Sequence, residues 1–201
     1  MIEAIIFDFG DIFINLDKPA TFEGLKKLGL SEWNDDLDYL NHQFEMGKIS
    51  KDDFLSGIQK HCPNATTEEI LKTWNAILLD FPLYRLEFLQ MLTQKYRLFL
   101  LSNTDAIHIE KFQKKTGETF YTDFYRCFEH VYFSYEIGMR KPNVDIYEYV
   151  LNNHSLVAEK TLFVDDKQEN TDAAKTIGLN VWNLQVGEED VVELFEKMII
   201  K

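Results

Sequence analysis

Five short apolar runs predict five strands. The first, Ala4-Ile5-Ile6-Phe7, stops at Asp8. A continuous apolar run bounded by a turn signal reads as a strand buried on both faces, as in a parallel sheet. Leu98-Phe99-Leu100-Leu101 stops at Ser102-Asn103-Thr104-Asp105, and His130-Val131-Tyr132-Phe133 leads to Gly138-Met139-Arg140-Lys141-Pro142. Thr161-Leu162-Phe163-Val164 runs straight into Asp165-Asp166, and Asn180-Val181-Trp182 precedes a last helix expected over about Glu188 to Ile200. Between the first two strands the period changes. Leu25, Leu28 and Leu30 recur at near-helical spacing, and Ser31 can cap a helix carrying Trp33, Leu37 and Leu40. Gly47 breaks the pattern. Ser50 with Asp53, and Thr66 with Glu69, look like helix starts ahead of Phe54-Leu55-Ile58 and Ile70-Leu71-Trp74. Further helices are expected from Pro82 to near Tyr96, from about Ala106, from Pro142 through Val150, and around Ala173-Ala174 up to Gly178. Strand and helix alternate outside the insertion, which predicts an α/β fold with a doubly wound parallel sheet. The expected division is a core of residues 1–15 and 86–201 with a helical insertion over 16–85.

Composition narrows the class. The 201 residues are 45% hydrophobic and 14% aromatic, with 16 Phe, which is enough for a large core. The formal charge of -13 argues against general attraction to nucleic acid or an anionic membrane. It leaves room for an anionic small molecule held by a few local cations. Cys62 and Cys127 fit no metal or redox spacing and read as buried thiols of a reducing compartment. The start, Met1-Ile2-Glu3, has no basic segment, and no apolar stretch approaches the roughly 20 residues that span a bilayer. The expectation is a cytoplasmic protein; its oligomeric state is left open.

Four strand ends carry polar chemistry: Asp8, Ser102-Asn103, Lys141 and Asp165-Asp166. Singly, each has an ordinary structural explanation. Asp8 suits a turn, Ser102 to Asp105 suit a helix N-cap, and an Arg-Lys pair suits a solvated surface. Parallel topology, however, gathers strand ends into one crevice. Three carboxylates, one Lys and hydroxyl or amide donors suit a hard divalent cation together with a phosphate. Mg²⁺ favours one or two carboxylates plus water and phosphate oxygens.

With these motifs together, the chain resembles the phosphohydrolases of the haloacid dehalogenase superfamily, in the subclass with a helical cap after the first strand. Ser102-Asn103-Thr104, Gly138-Met139-Arg140-Lys141-Pro142 and the segment Phe44-Glu45-Met46-Gly47-Lys48-Ile49-Ser50 are similar to a bacterial sugar-phosphatase branch that includes an α-D-glucose-1-phosphate phosphatase. The resemblance implies a Mg²⁺-dependent phosphatase of a small phosphorylated metabolite, such as glucose 1-phosphate. It implies Asp8 as nucleophile and Lys141 as the cation that balances phosphate and orients Asp8. Ser102 and Asn103 would hold phosphate oxygens. The metal would take Asp8, the Gly10 carbonyl and Asp166, with Asp165 acting through water.

One position departs from the family pattern. Most of these phosphatases carry an acid/base Asp two residues after the nucleophile, where this chain has Gly10. Losing a general acid/base typically costs about 10²–10⁴-fold in rate. Gly10 therefore keeps a second class open, a non-catalytic phosphate-binding protein. Metal-independent dehalogenation is disfavoured by Asp165-Asp166, because that chemistry needs no cation site. His108, just after the second-strand loop, is expected to lie on the surface, with reach toward a leaving group as the alternative.

Overall fold

A computed structural model gives the structure of residues 1–197. The strands are β1 (Ala4–Phe7), β2 (Arg97–Ser102), β3 (His130–Phe133), β4 (Thr161–Asp165) and β5 (Asn180–Asn183). They pair in the order β3-β2-β1-β4-β5, all parallel. Alternate residues of each strand feed two apolar layers, as the pleat requires. Ile5, Phe7, Leu98, Leu100, Leu162 and Val164 face one layer. Ala4, Ile6, Phe99, Leu101 and Phe163 face the other. Both faces are covered, which explains why the strands read as unbroken apolar runs.

The chain leaves β1, builds out through β2 to β3, then returns to the other side of β1 for β4 and β5. The strand order therefore reverses beside β1, and a crevice opens at the carboxyl ends of β1 and β4. In register, Phe7 lies opposite both Leu100 and Val164, so the residues that follow emerge together.

Between β1 and β2 come α1 (Lys18–Lys27), α2 (Asp35–Glu45), α3 (Lys51–His61) and α4 (Thr67–Trp74). They bury an apolar cluster of their own around Phe44, Phe54, Ile58 and Trp74, joined by Ile107. Ser50 caps α3 by accepting from Asp53 N, and Thr66 with Glu69 forms a full capping box on α4, both as expected. The cap of α2 is Asn34, not Ser31. Asn34 stands immediately before the first helical turn, where its Oδ1 reaches Leu37 N at 3.1 Å.

The remaining helices are α5 (Leu83–Leu92), α6 (Ala106–Thr116), α7 (Glu118–Arg126), α8 (Ser134–Ile137), α9 (Val144–Asn153) and α10 (Gln168–Thr176). The sequence predicts one helix after β2; there are two, because Gly117 at φ +83° ends α6 and starts a new direction. Pro142 does not open α9. It follows a cis bond from Lys141, and the helix begins two residues later at Val144. The expected last helix is also corrected: Val191–Phe195 is 3₁₀, and residues 198–201 lie outside the described ones. Cys62 and Cys127 are free and buried. Among the described residues, no helix is long and apolar enough to cross a membrane.

Candidate active site

Asp8 follows β1 directly, its N–H donating to Val164 O at 2.9 Å, so its side chain enters the crevice from the central strand. Lys141 arrives from the loop ahead of α9. Its Nζ donates to Asp8 Oδ1 at 2.7 Å and to Asp165 Oδ2 at 2.6 Å, and Lys141 is 1% exposed. Asp8, Asp165 and Asp166 each bring a carboxylate oxygen to within 4.8 Å of the others. Burial drives the Asp8 carboxyl up, to about 7; Lys141 pulls against this, while Asp165 and Asp166 push further up. Burial also works against the Lys141 ammonium, but Asp165 and Asp8 outweigh it and hold it above the ordinary lysine value. The site thus holds one buried ammonium among three carboxylates, and the crowding of negative charge works against the ionised form of Asp8.

The two adjacent carboxylates are not equivalent. Asp165 is fully buried and accepts from Lys141, from Lys167 N at 2.8 Å, and from Asn170 Nδ2 at 3.0 Å to both oxygens. Its roughly four lone-pair sites are taken. Asp166 accepts, among the described residues, only from Lys18 Nζ at 2.6 Å. Asp166 is therefore the carboxylate with capacity left for a metal. The Gly10 carbonyl accepts no hydrogen bond among the described residues, which leaves it available too.

Asn103 has a second contact, to the loop that carries Lys141. Its Nδ2 donates to Lys141 O at 2.8 Å and its Oδ1 accepts from Lys141 N at 2.9 Å. The side chain clamps the backbone of Lys141 with one of its two Nδ2 hydrogens, and Asn103 lines the crevice. Ser102, at the end of β2, and Thr104 line the same crevice. Ser134 fixes the loop that carries Asn103 by accepting from Thr104 N and donating to Thr104 O, both at 3.0 Å. Asp11 is buried at φ +57°; its carboxylate accepts from Leu16 N and pairs with Lys18 Nζ at 2.8 Å. It lines a separate hollow beside Arg85 and does not replace the side chain missing at Gly10.

The roles of Lys18 and Asn170 escaped the sequence reading. Lys18, at the start of α1, bridges Asp11 and Asp166 from the inserted helices. Asn170, in the first turn of α10, holds Asp165 through Nδ2. Glu45, at the end of α2, lines the crevice and is bound by Arg140. His108 is not a surface residue. It lines the crevice, stacks on Trp74 at 5.4 Å, and directs Nε2 to Trp74 O at 3.0 Å and Nδ1 toward Asp105 Oδ2 at 3.1 Å. Both ring nitrogens face protein oxygens. The enclosed space is about 200 Å³. A buried carboxylate, a buried ammonium on the same atom and a cluster able to hold a cation can bind and attack an electrophile that bears negative charge.

Comparison with known proteins agrees with this geometry. A family model described as haloacid dehalogenase-like hydrolase matches residues 2–178. A D-ribitol-5-phosphate phosphatase of Bacteroides thetaiotaomicron is 26% identical over 193 residues, covering 93% of this chain and 94% of that protein. A sesquiterpene phosphatase of Aspergillus oryzae is 27% identical over 180 residues, covering 88% and 87%. A crystal structure of a haloacid dehalogenase family enzyme from Bacteroides thetaiotaomicron, in complex with magnesium and inorganic phosphate, superposes with a TM-score of 0.84 at 32% identity. It covers 94% of this chain and 97% of that one.

Proposed function

The chain belongs to the haloacid dehalogenase-like hydrolase family, and we propose that it is a Mg²⁺-dependent phosphatase of a small hydroxylated phosphate monoester. The observation that carries this reading is Lys141 Nζ bound to Asp8 and Asp165 within a three-carboxylate cluster. The relatives named as phosphatases, and the related enzyme crystallised with magnesium and phosphate, support it. Mg²⁺ would take an Asp8 oxygen, the Gly10 carbonyl and Asp166, where it neutralises the repulsion between carboxylate and phosphate oxygens. Asp165, saturated by its own hydrogen bonds, acts by orienting Lys141.

In this reading Asp8 attacks phosphorus in line, forming the acyl-phosphate bond while the ester P–O bond breaks. The leaving alkoxide takes its proton from solvent, because Gly10 supplies none. Water then hydrolyses the phospho-Asp8 to phosphate and regenerates the carboxylate. Lys141 and Ser102 hold phosphate oxygens, with the backbone N–H of Asn103 beside them. Residues 16–85 act as the cap over the crevice.

The test is turnover of a panel containing glucose 1-phosphate and ribitol 5-phosphate, with Mg²⁺ and with chelator, alongside mass spectrometry for phospho-Asp8. Mg²⁺-dependent release of phosphate with a labelled Asp8 is expected. Binding of phosphate and Mg²⁺ with no turnover and no labelled Asp8 would overturn the catalytic reading. Gly10 favours that second class, a phosphate-binding protein of the same fold.

A further inference from the structure

Glu45 is a carboxylate in the wall of a cavity built for an anion. Left alone it would repel a phosphate ester a few ångströms away. It is not left alone. Arg140, next in sequence to Lys141, donates to Glu45 Oε2 through Nε at 3.2 Å and Nη2 at 2.9 Å, and both side chains are mostly buried. Arg140 does not itself line the cavity, whereas Glu45 does. The cavity is thus lined by the carboxylate residue of the pair, while the guanidinium is engaged on Oε2. Oε1 has, among the described residues, only a long 3.5 Å bond from Asn41 Nδ2, so its accepting capacity is largely unused. The placement is fixed from the core as well. Gly47, at φ +64°, seats the turn after α2 against Tyr135, where a Cβ would come within 2.0 Å of the carbonyl oxygen.

We propose that Glu45 Oε1 reads a hydroxyl on the carbon skeleton of the phosphate ester and turns away esters that carry a second anionic group. The substrate class is a phosphate monoester on an uncharged, hydroxylated skeleton. The assignment rests on the phosphate lying between Asp8 and Lys141, as proposed above. Arg140 is the positioning residue: it neutralises Glu45 without presenting its guanidinium to the ligand.

Glycerol phosphate and phosphoglycerate form a matched probe pair, since one hydroxymethyl group is replaced by a carboxylate. Their dissociation constants are measured by calorimetry with Mg²⁺ in the full-length Asp8→Asn protein, in which bound ester is not consumed. Adding Glu45→Gln is expected to weaken glycerol phosphate about tenfold, the order of one charge-assisted hydrogen bond, and to tighten phosphoglycerate. Adding Arg140→Met leaves a bare carboxylate and should weaken both. Glu45→Asp keeps the charge but withdraws it by one methylene. It should weaken glycerol phosphate and still reject phosphoglycerate, which keeps the proposal open to test if Glu45→Gln does not fold. A preference ratio unchanged within about twofold in Glu45→Gln, or equal binding of the two probes by Glu45→Asp, overturns the proposal. Catalysis is judged separately, by wild-type turnover and phospho-Asp8, so failure of one reading is distinguishable from failure of the other.

Discussion

Two buried cations tie this protein together, in opposite electrostatic situations. Arg85 donates to Asp190 through Nε and Nη2, and through Nη1 to Phe13 O at 3.3 Å and Asn15 Oδ1 at 2.9 Å. One guanidinium meets one carboxylate and two neutral acceptors, and the network closes. Lys141 meets two carboxylates directly, with Asp166 close by and only the half-exposed Lys18 to help. Its network does not close, because negative charge is in surplus. A closed network joins distant segments, here the chain after β1 and the start of the last 3₁₀ turn. An open one gains from a bound cation, whose charge in turn admits an anion.

The largest effect should follow from removing Lys141. Lys141→Met leaves Asp8 and Asp165 buried with no cation between them, at a cost of about 3–5 kcal/mol in metal-free protein. Arg85→Met strands a single carboxylate that is partly solvated and should cost less. Urea unfolding of both variants in chelator checks the order. Equal losses would mean that the crevice carries no surplus charge.

The second effect separates the networks by their response to metal. Mg²⁺ at about 100 times its dissociation constant should stabilise wild type by about 2.7 kcal/mol, the linkage expected for one site. Arg85→Met should gain the same increment. Asp166→Asn should lose most of it, because Asp166 is the carboxylate with free acceptor capacity. Thermal unfolding in Mg²⁺ against chelator measures all three. Full stabilisation of Asp166→Asn, with none in Asp165→Asn, would reverse the assignment of the two acids.

The same contrast explains what could be read without coordinates. The strands were legible because both sheet faces are covered, so Ala4–Phe7 and Thr161–Val164 are apolar without interruption and each stops at a carboxylate. The gathering of Asp8, Lys141, Asp165 and Asp166 follows from parallel topology alone. The caps at Ser50 and Thr66 were legible because they are local. Asn34 lost out to Ser31 because both are good capping residues three positions apart. Roles that depend on packing between elements were hidden. Glu45 and Arg140 are 95 positions apart, Lys18 and Asp166 are 148 apart, and nothing in either neighbourhood announces the partner. Asn103 was seen at the strand end, but its clamp on the Lys141 backbone was not, because a side-chain amide serves a backbone clamp as readily as an anion. The closed network of Arg85 was not seen at all: one Arg in a helix and one Asp near the end of the chain leave no pattern.

The smallest effect tests whether the Arg85 network holds a charge in balance. Burial works against the Asp190 carboxylate, but hydrogen bonds from Arg85 and Tyr84 outweigh it and hold the group below its ordinary value. A carboxylate whose folded value is lowered contributes stability above the ordinary carboxylate range and loses it as pH falls through the lowered value. Asp190 also caps the 3₁₀ turn by accepting from Val192 N, a task Asn performs equally well. Asp190→Asn therefore removes the charge and keeps the cap. At about pH 7 the variant should be less stable by no more than about 1 kcal/mol, since Asp190 is partly exposed and solvent screens the pair. The gap should close as pH falls below about 4, where wild type takes up the proton and loses the same interaction. Thermal midpoints of the two proteins across that range give the answer. A gap that stays constant with pH would show that Arg85 holds Asp190 by geometry alone, and the contrast with the crevice would then be one of shape and not of charge.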